Sequence, residues 1–190
     1  MKELYKQRLA VVMVIYFFMF IASMVINLLA VILSPLIVWF SMRDNTKGKI
    51  PKIFNWFLTH DNPIDGDEGH LQRHPKEDYW SIYKRRVFWI CRNKGYTFDY
   101  DVCGTHLTGP IRVKGNPNTS DQREAGYLFQ VDDNGIFEYY LIYRYPFLKS
   151  HCFRVRLGWK FNSDKVNTGE KVMLATSIGF FKKFTGKKLK

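Results

Sequence analysis

Residues 59–69 read THDNPIDGDEG and hold four carboxylates, Asp61, Asp65, Asp67 and Glu68. Oxygen donors at that density are what Ca²⁺ or Mg²⁺ collect, several to an ion. His70 and His74 follow at i, i+4, the spacing that puts two imidazoles on one helical face. Asp61, Asp65, Asp67, His70 and His74 are therefore a candidate divalent-metal set, and with them comes a candidate metal-dependent hydrolase acting on a lipid or a phosphate-bearing substrate. The spacing lacks the acidic final ligand of an EF-hand loop, there is no H-E-x-x-H, and Gly69 and Pro75 bracket the histidines with helix breakers. The competing account is that Asp and Asn cap turns here while Gly supplies positive φ.

No other stretch offers catalytic machinery. The chain has no G-x-S-x-G, no Walker loop, no G-x-G-x-x-G and no C-x-x-C. His151 and Cys152 are neighbours, but adjacent residues on a strand point to opposite faces, so they do not make a Cys-His pair. No catalytic residue is assigned, no cofactor beyond the divalent metal is implied, and the balance leans against an enzyme.

The second kind of chemistry is anion binding. With 29 Lys and Arg against 17 Asp and Glu the net charge is +12, which calls for an anionic partner. Arg154, Arg156 and Lys160 share one parity of a predicted strand, and residues 180–190, FFKKFTGKKLK, interleave five lysines (Lys182, Lys183, Lys187, Lys188 and Lys190) with three phenylalanines. On a membrane protein such a segment touches anionic headgroups, at about 1 kcal/mol per lysine near the surface. Nucleic acid is disfavoured, because no RNP, zinc-finger or helix-turn-helix pattern is present.

These residues must be positioned by a short list of elements. The chain has 190 residues, and 9–42 contain no Asp, Glu, Lys, Arg or His. At about 1.5 Å per residue that run makes roughly 51 Å of helix, too long for a signal-peptide core and long enough for one span. The span is placed at about residues 9–33, with Pro35 breaking or kinking it, Trp39 and Trp56 as interfacial anchors, and a re-entrant hairpin bending near Asn27 as the alternative. Both flanks are basic, and either topology puts the following domain in the cytoplasm. Three cysteines without C-x-x-C agree with a reducing compartment.

Residues 49–58 predict a helix with Ile50, Ile53, Phe54 and Phe57 on one stripe, either interfacial on the membrane or packed on the soluble domain. Residues 75–94 predict the main soluble helix, with Tyr79, Ile82, Tyr83, Val87 and Ile90 buried. Alternation from residue 111 onward predicts strands, with a hairpin turn at 132–135 (DDNG) and a last strand through Val172, Leu174, Thr176 and Ile178. Along one strand Phe153, Val155, Leu157, Trp159 and Phe161 face the core and the basic residues face water. The fold class is α+β: an N-terminal transmembrane helix, then a small domain with one main helix packed on a four- to five-stranded antiparallel meander. Its divisions are an anchor at 1–42, an interfacial helix and acidic loop at 43–75, and a basic domain with a polybasic tail at 76–190.

Residues 56–69 (WFLTHDNPIDGDEG), 86–96 (RVFWICRNKGY), the pair Asn116 and Pro117, and 157–160 (LGWK) resemble an uncharacterised family of small membrane proteins encoded by tailed bacteriophages and prophages. The resemblance transfers no catalytic residue. It implies a viral origin and action at the host inner membrane, and with the segregation of span, interfacial helix and polybasic tail the leading expectation is a non-enzymatic phage accessory protein that rests on anionic lipid and binds a host or phage partner. A holin-type lysis protein is a further alternative, set back by the large share of chain outside the apolar run.

Overall fold

The computed structural model describes residues 2–43, 50–148, 150–161 and 171–186. It opens with helix α1 (Lys2–Ser41), of which Gln7–Ser41 contains an 18-residue window of mean hydropathy 2.8 and is long and apolar enough to cross a membrane. Pro35 does not end it. Proline lacks the amide that would bond the carbonyl of Val31, and the Ser34 hydroxyl donates to that carbonyl instead, at 2.9 Å. Ser41 Oγ does the same for Val38 at the open end of the helix, at 2.6 Å.

The chain divides into two compact units, Met1–Phe20 with Gly104–Lys190, and Ile21–Cys103. In the Ile21–Cys103 unit the 49–58 segment forms a 3-10 turn, Lys52–Phe57, in place of an α-helix. Residues three apart eclipse in that geometry, so Phe54 and Phe57 turn inward while Ile53 stands 77% exposed. Helices α2 (Glu68–Arg73), α3 (Tyr79–Arg92) and α4 (Tyr96–Asp101) follow. The expected start of α3 at residue 75 moves to Tyr79 because Asp78 is its cap, accepting from the Ser81 amide at 3.1 Å. Tyr79 is consequently exposed, and the buried residues of α3 are Arg85, Trp89 and Ile90. Ile90, with Val87 and Tyr83 beside it, packs with Ala30, Ile37 and Val38 of α1 and with Phe57.

The other unit holds strands β1 (Thr105–His106), β2 (Arg112–Gly115), β3 (Gly126–Val131), β4 (Phe137–Arg144), β5 (His151–Gly158), β6 (Lys171–Val172) and β7 (Ser177–Lys183). Five of them form an antiparallel sheet in the order β2-β3-β4-β5-β7, and β1 pairs with β6. The α+β class and the meander are as expected. The β3–β4 turn is built by Asp132, whose Oδ1 accepts from the amides of Asn134 and Ile136, with Gly135 at φ 86°. The last strand differs from expectation. It starts at Ser177 and takes Phe180 to Lys183 into pairing with β5, so the first part of the presumed tail is sheet.

The two faces of the sheet also differ from expectation. Of the residues expected in the core, Trp159 and Phe161 are buried, whereas Phe153, Val155 and Leu157 are only half-buried. The better covered side is the one bearing the arginines. There Leu128, Tyr140, Ile142 and Cys152 cluster under Phe184, with Ala125 against them. Alternation sorts residues onto faces, but the element that covers a face is set by distant chain, here Phe184 and the segment before β3.

Candidate functional site

On the arginine side of the sheet lies a cleft of about 640 Å³ whose lining includes Asp121, Arg123, Glu138, Tyr140, Arg154, Arg156 and Lys160. Its floor comes from register. Tyr140 stands opposite Arg156 and Ile142 opposite Arg154 on the β4–β5 pair. Its wall is the segment between β2 and β3, tied by Asn116. The side-chain oxygen of Asn116 accepts from the Asn118 amide at 2.9 Å, its amide nitrogen donates to Glu124 Oε2 at 2.8 Å, and its carbonyl accepts from Thr119 Oγ1 at 2.8 Å.

Each arginine is held by a carboxylate. Arg154 Nη1 donates to Asp121 Oδ2 at 3.0 Å, while its Nε has no hydrogen-bond partner among the described residues. Arg156 Nε donates to Glu138 Oε1 at 2.7 Å, and its guanidinium carbon lies 4.9 Å from the centre of the Tyr140 ring. Glu138 is 1% exposed and also accepts from the Phe161 amide at 3.1 Å and from Gln130 Nε2 at 3.3 Å. Burial pushes its carboxyl up, against the opposing pull of Arg156. Burial likewise pushes up the Tyr140 hydroxyl and the Cys152 thiol, which leaves neither activated as a nucleophile. Four cationic side chains against two carboxylates leave the lining positive, an arrangement that recognises an anionic group.

The candidate metal set is distributed to other work. Asp65 accepts from Arg86 Nε and Nη2, both at 2.8 Å, and from Arg85 Nη2 at 3.2 Å. Burial alone would raise its carboxyl, but Arg86 and Arg85 outweigh it and hold the group below the usual range. Asp67 caps α2 by accepting from the His70 amide at 2.7 Å. His70 is buried with Nε2 at 2.9 Å from the Arg85 carbonyl, the His74 ring lies beside it at 4.7 Å and tilted by 53°, and Asp61 pairs with the Asn62 amide at the surface. Among the described residues no three His, Cys, Asp or Glu gather as a metal set.

Of the basic residues, Arg154, Arg156 and Lys160 come together in the cleft, and Lys182 and Lys183 end β7 at the sheet edge. Lys187, Lys188 and Lys190 lie outside the described residues. Trp39 is half-exposed on α1 with the Arg43 guanidinium 4.5 Å from its ring centre, and Trp56 is half-exposed with its ring on Phe98. Sequence reasoning missed Asp121, Arg123, Glu138 and Tyr140. A lone glutamate inside FEYYLIYR was the available signal, since a strand that apolar carries a carboxylate only with a partner.

Residues 8–186 match the profile of a family of unknown function, DUF7338. The chain belongs to that family. No curated protein and no solved structure matches it. For this DUF7338 member the motif residues have structural work to do: Asp65 clamps two arginines, Asn116 ties a turn, and Gly158 sits at φ 98°, where a Cβ would lie 2.1 Å from the Phe137 carbonyl oxygen.

Proposed function

We propose that this protein is a membrane-anchored accessory protein with no catalytic activity of its own, which presents a basic domain at an anionic lipid surface and there binds a protein partner. The observation that carries the reading is the bare side of α1: Val11, Phe18, Leu28 and Ile32 are each about 60% exposed, on a helix too apolar for water to solvate. Lys182 and Lys183 then serve headgroups, and the cleft of Arg154, Arg156 and Lys160 serves an acidic group on the partner. The phage origin, the host inner membrane and the cytoplasmic placing of the domain follow from the resemblance and from the basic flanks of the apolar run.

The test is fractionation of the full chain expressed in a bacterium. It should sediment with membranes, resist alkaline carbonate and dissolve in detergent. Recovery in the soluble fraction without detergent would overturn the reading. Flotation with phosphatidylglycerol vesicles should exceed flotation with phosphatidylcholine vesicles, and equal flotation would remove the anionic preference.

A further inference from the structure

Tyr16 lies in the first quarter of the apolar run, and its hydroxyl oxygen is 2.7 Å from Thr176 Oγ1 while its ring packs on Phe137 and Trp159 at 5.3 and 5.9 Å. Nearer the start, Arg8 donates to the Asp133 carbonyl at 3.2 Å. The sheet therefore lies beside this half of α1 and not beyond its end. On its other face the same sheet carries Arg154, Arg156 and Glu138, with Asp121 paired to Arg154. A helix crossing the bilayer here would draw those groups into hydrocarbon, where ionised side chains are excluded.

The Ile21–Cys103 unit gives the same answer independently. Tyr83 donates to the Pro35 carbonyl at 3.2 Å, Cys91 Sγ lies 3.5 Å from Ser34 Oγ, and Arg86 donates to the Ser41 carbonyl at 3.1 Å. Helix α3, with Lys84, Arg85, Arg86 and Arg92, thus runs along the later half of α1.

Within each unit the burial of α1 is one-sided: in the first, Tyr16 is turned to protein while Val11 and Phe18 are bare at 59% and 66% exposure, and in the Ile21–Cys103 unit Ser23, Ala30 and Ile37 are buried while Val25 and Ile32 are bare at 52% and 61%. A spanning helix has lipid or apolar protein around it, not a charged domain along one side. The sheet repeats the pattern. The face that receives Tyr16 is covered at its Phe137 end and open at the other, where Tyr143, Ile178 and Phe180 are more than half exposed. Cations stand at both edges of that face, Lys114 opposite Phe129 on β2 and Lys183 opposite His151 on β7.

We infer that the chain is monotopic: α1 lies in the plane of one leaflet with its Val11–Phe18–Val25–Ile32 stripe in the acyl layer, and the open end of the sheet rests on the same leaflet with Lys114 and Lys183 at anionic headgroups. The inference rests on the membrane reading above and replaces the span with a half-embedded helix. An apolar surface rimmed by cations fits a lipid of opposite charge, and a helix of about 60 Å lies in a plane without the mismatch it would meet across a core of about 30 Å.

The experiment places the photoreactive analogue p-benzoylphenylalanine in place of Phe18, Phe180 or Tyr143 in the full chain, an aromatic for an exposed aromatic in each case. The chains are bound to phosphatidylethanolamine–phosphatidylglycerol vesicles and irradiated. All three positions should yield lipid adducts, and the analogue in place of Gln122, on the cleft side, should yield none. Lipid adducts at Phe18 alone would restore the span. Chain-to-chain adducts at Phe180 or Tyr143 would make a second copy the cover of the sheet, and would overturn the inference. A second measurement labels tags at both ends from one side of sealed vesicles. Both should react together, and opposite sidedness would overturn monotopy. Failure of the chain to bind vesicles at all is the separate result that sinks the membrane reading.

Discussion

Arg156 and Glu138 meet across neighbouring strands at 2.6 Å, with the carboxylate 2% exposed and the guanidinium 24% exposed. The pair fixes the cleft floor, because Glu138 also holds the Phe161 amide where the chain leaves β5. Breaking a buried pair from one side leaves the other charge uncompensated, at roughly 3–5 kcal/mol. Arg156→Ala should therefore lower stability by about 3 kcal/mol in denaturant titration of the detergent-solubilised chain, and by more than Arg154→Ala, whose partner Asp121 keeps more solvent. Equal effects would mean that the Glu138 pair carries no special weight.

Asp99 supplies a pH dependence. Burial raises its carboxyl to about 6 from an ordinary 3.8, with the Ser23 hydroxyl as the opposing donor. The folded-state value is the higher one, so the contribution is fully present below pH 4, where both states are protonated. It is lost as pH rises toward 6, because the unfolded chain ionises first. At 1.36 kcal/mol per unit this amounts to roughly 3 kcal/mol. The difference in unfolding free energy between the parent and Asp99→Asn should slope across that window and be flat above it. A difference that does not vary between pH 4 and 6 would show that Asp99 ionises as it does in water.

The contrast between Glu138 and Asp99 shows what the sequence made legible. Strand positions, the DDNG turn and the grouping of Arg154, Arg156 and Lys160 were readable because period-two alternation is local. That Arg156 belongs to Glu138, eighteen residues earlier in the chain, depends on the register of two strands, which local patterning does not encode. The same holds for the acidic loop. Its composition suits a metal, and only the fold shows that Arg85 and Arg86, about twenty residues later, take Asp65. The apolar run was legible as a helix long and apolar enough to cross a membrane. The side of it turned to protein carries the buried serines Ser23, Ser34 and Ser41, so the contrast that marks that side lies in a few hydroxyls and not in hydropathy.

Asp65 gives a test of that division of labour. If its role is to clamp Arg85 and Arg86, Asp65→Asn should weaken the fold, because a neutral amide accepts only part of what the carboxylate accepts, leaving Arg86 under-compensated and Arg85 with Glu77 as its carboxylate. The loss should be about 2 kcal/mol, less than for a fully buried pair since Asp65 is 31% exposed. Adding Ca²⁺ or Mg²⁺ to the parent should leave Tm unchanged. A rise in Tm with metal that Asp65→Asn abolishes would return the loop to metal binding.

Ser34 offers the last prediction, on the helix itself. Its hydroxyl replaces the amide that Pro35 lacks, at 2.9 Å from the Val31 carbonyl, and Ser34 is 1% exposed, so no solvent stands ready to take its place. Ser34→Ala should leave that carbonyl without a donor and cost about 1–3 kcal/mol. The helix would relieve the loss by kinking at Pro35. Pro35→Ala alone should straighten and stabilise it, and in the Pro35→Ala background Ser34→Ala should cost well under 1 kcal/mol, since the restored amide bonds Val31 directly. The double-mutant cycle, read by unfolding in detergent, isolates this coupling. Additive effects of the two substitutions would show that the hydroxyl and the proline act independently and that the helix passes Pro35 for another reason.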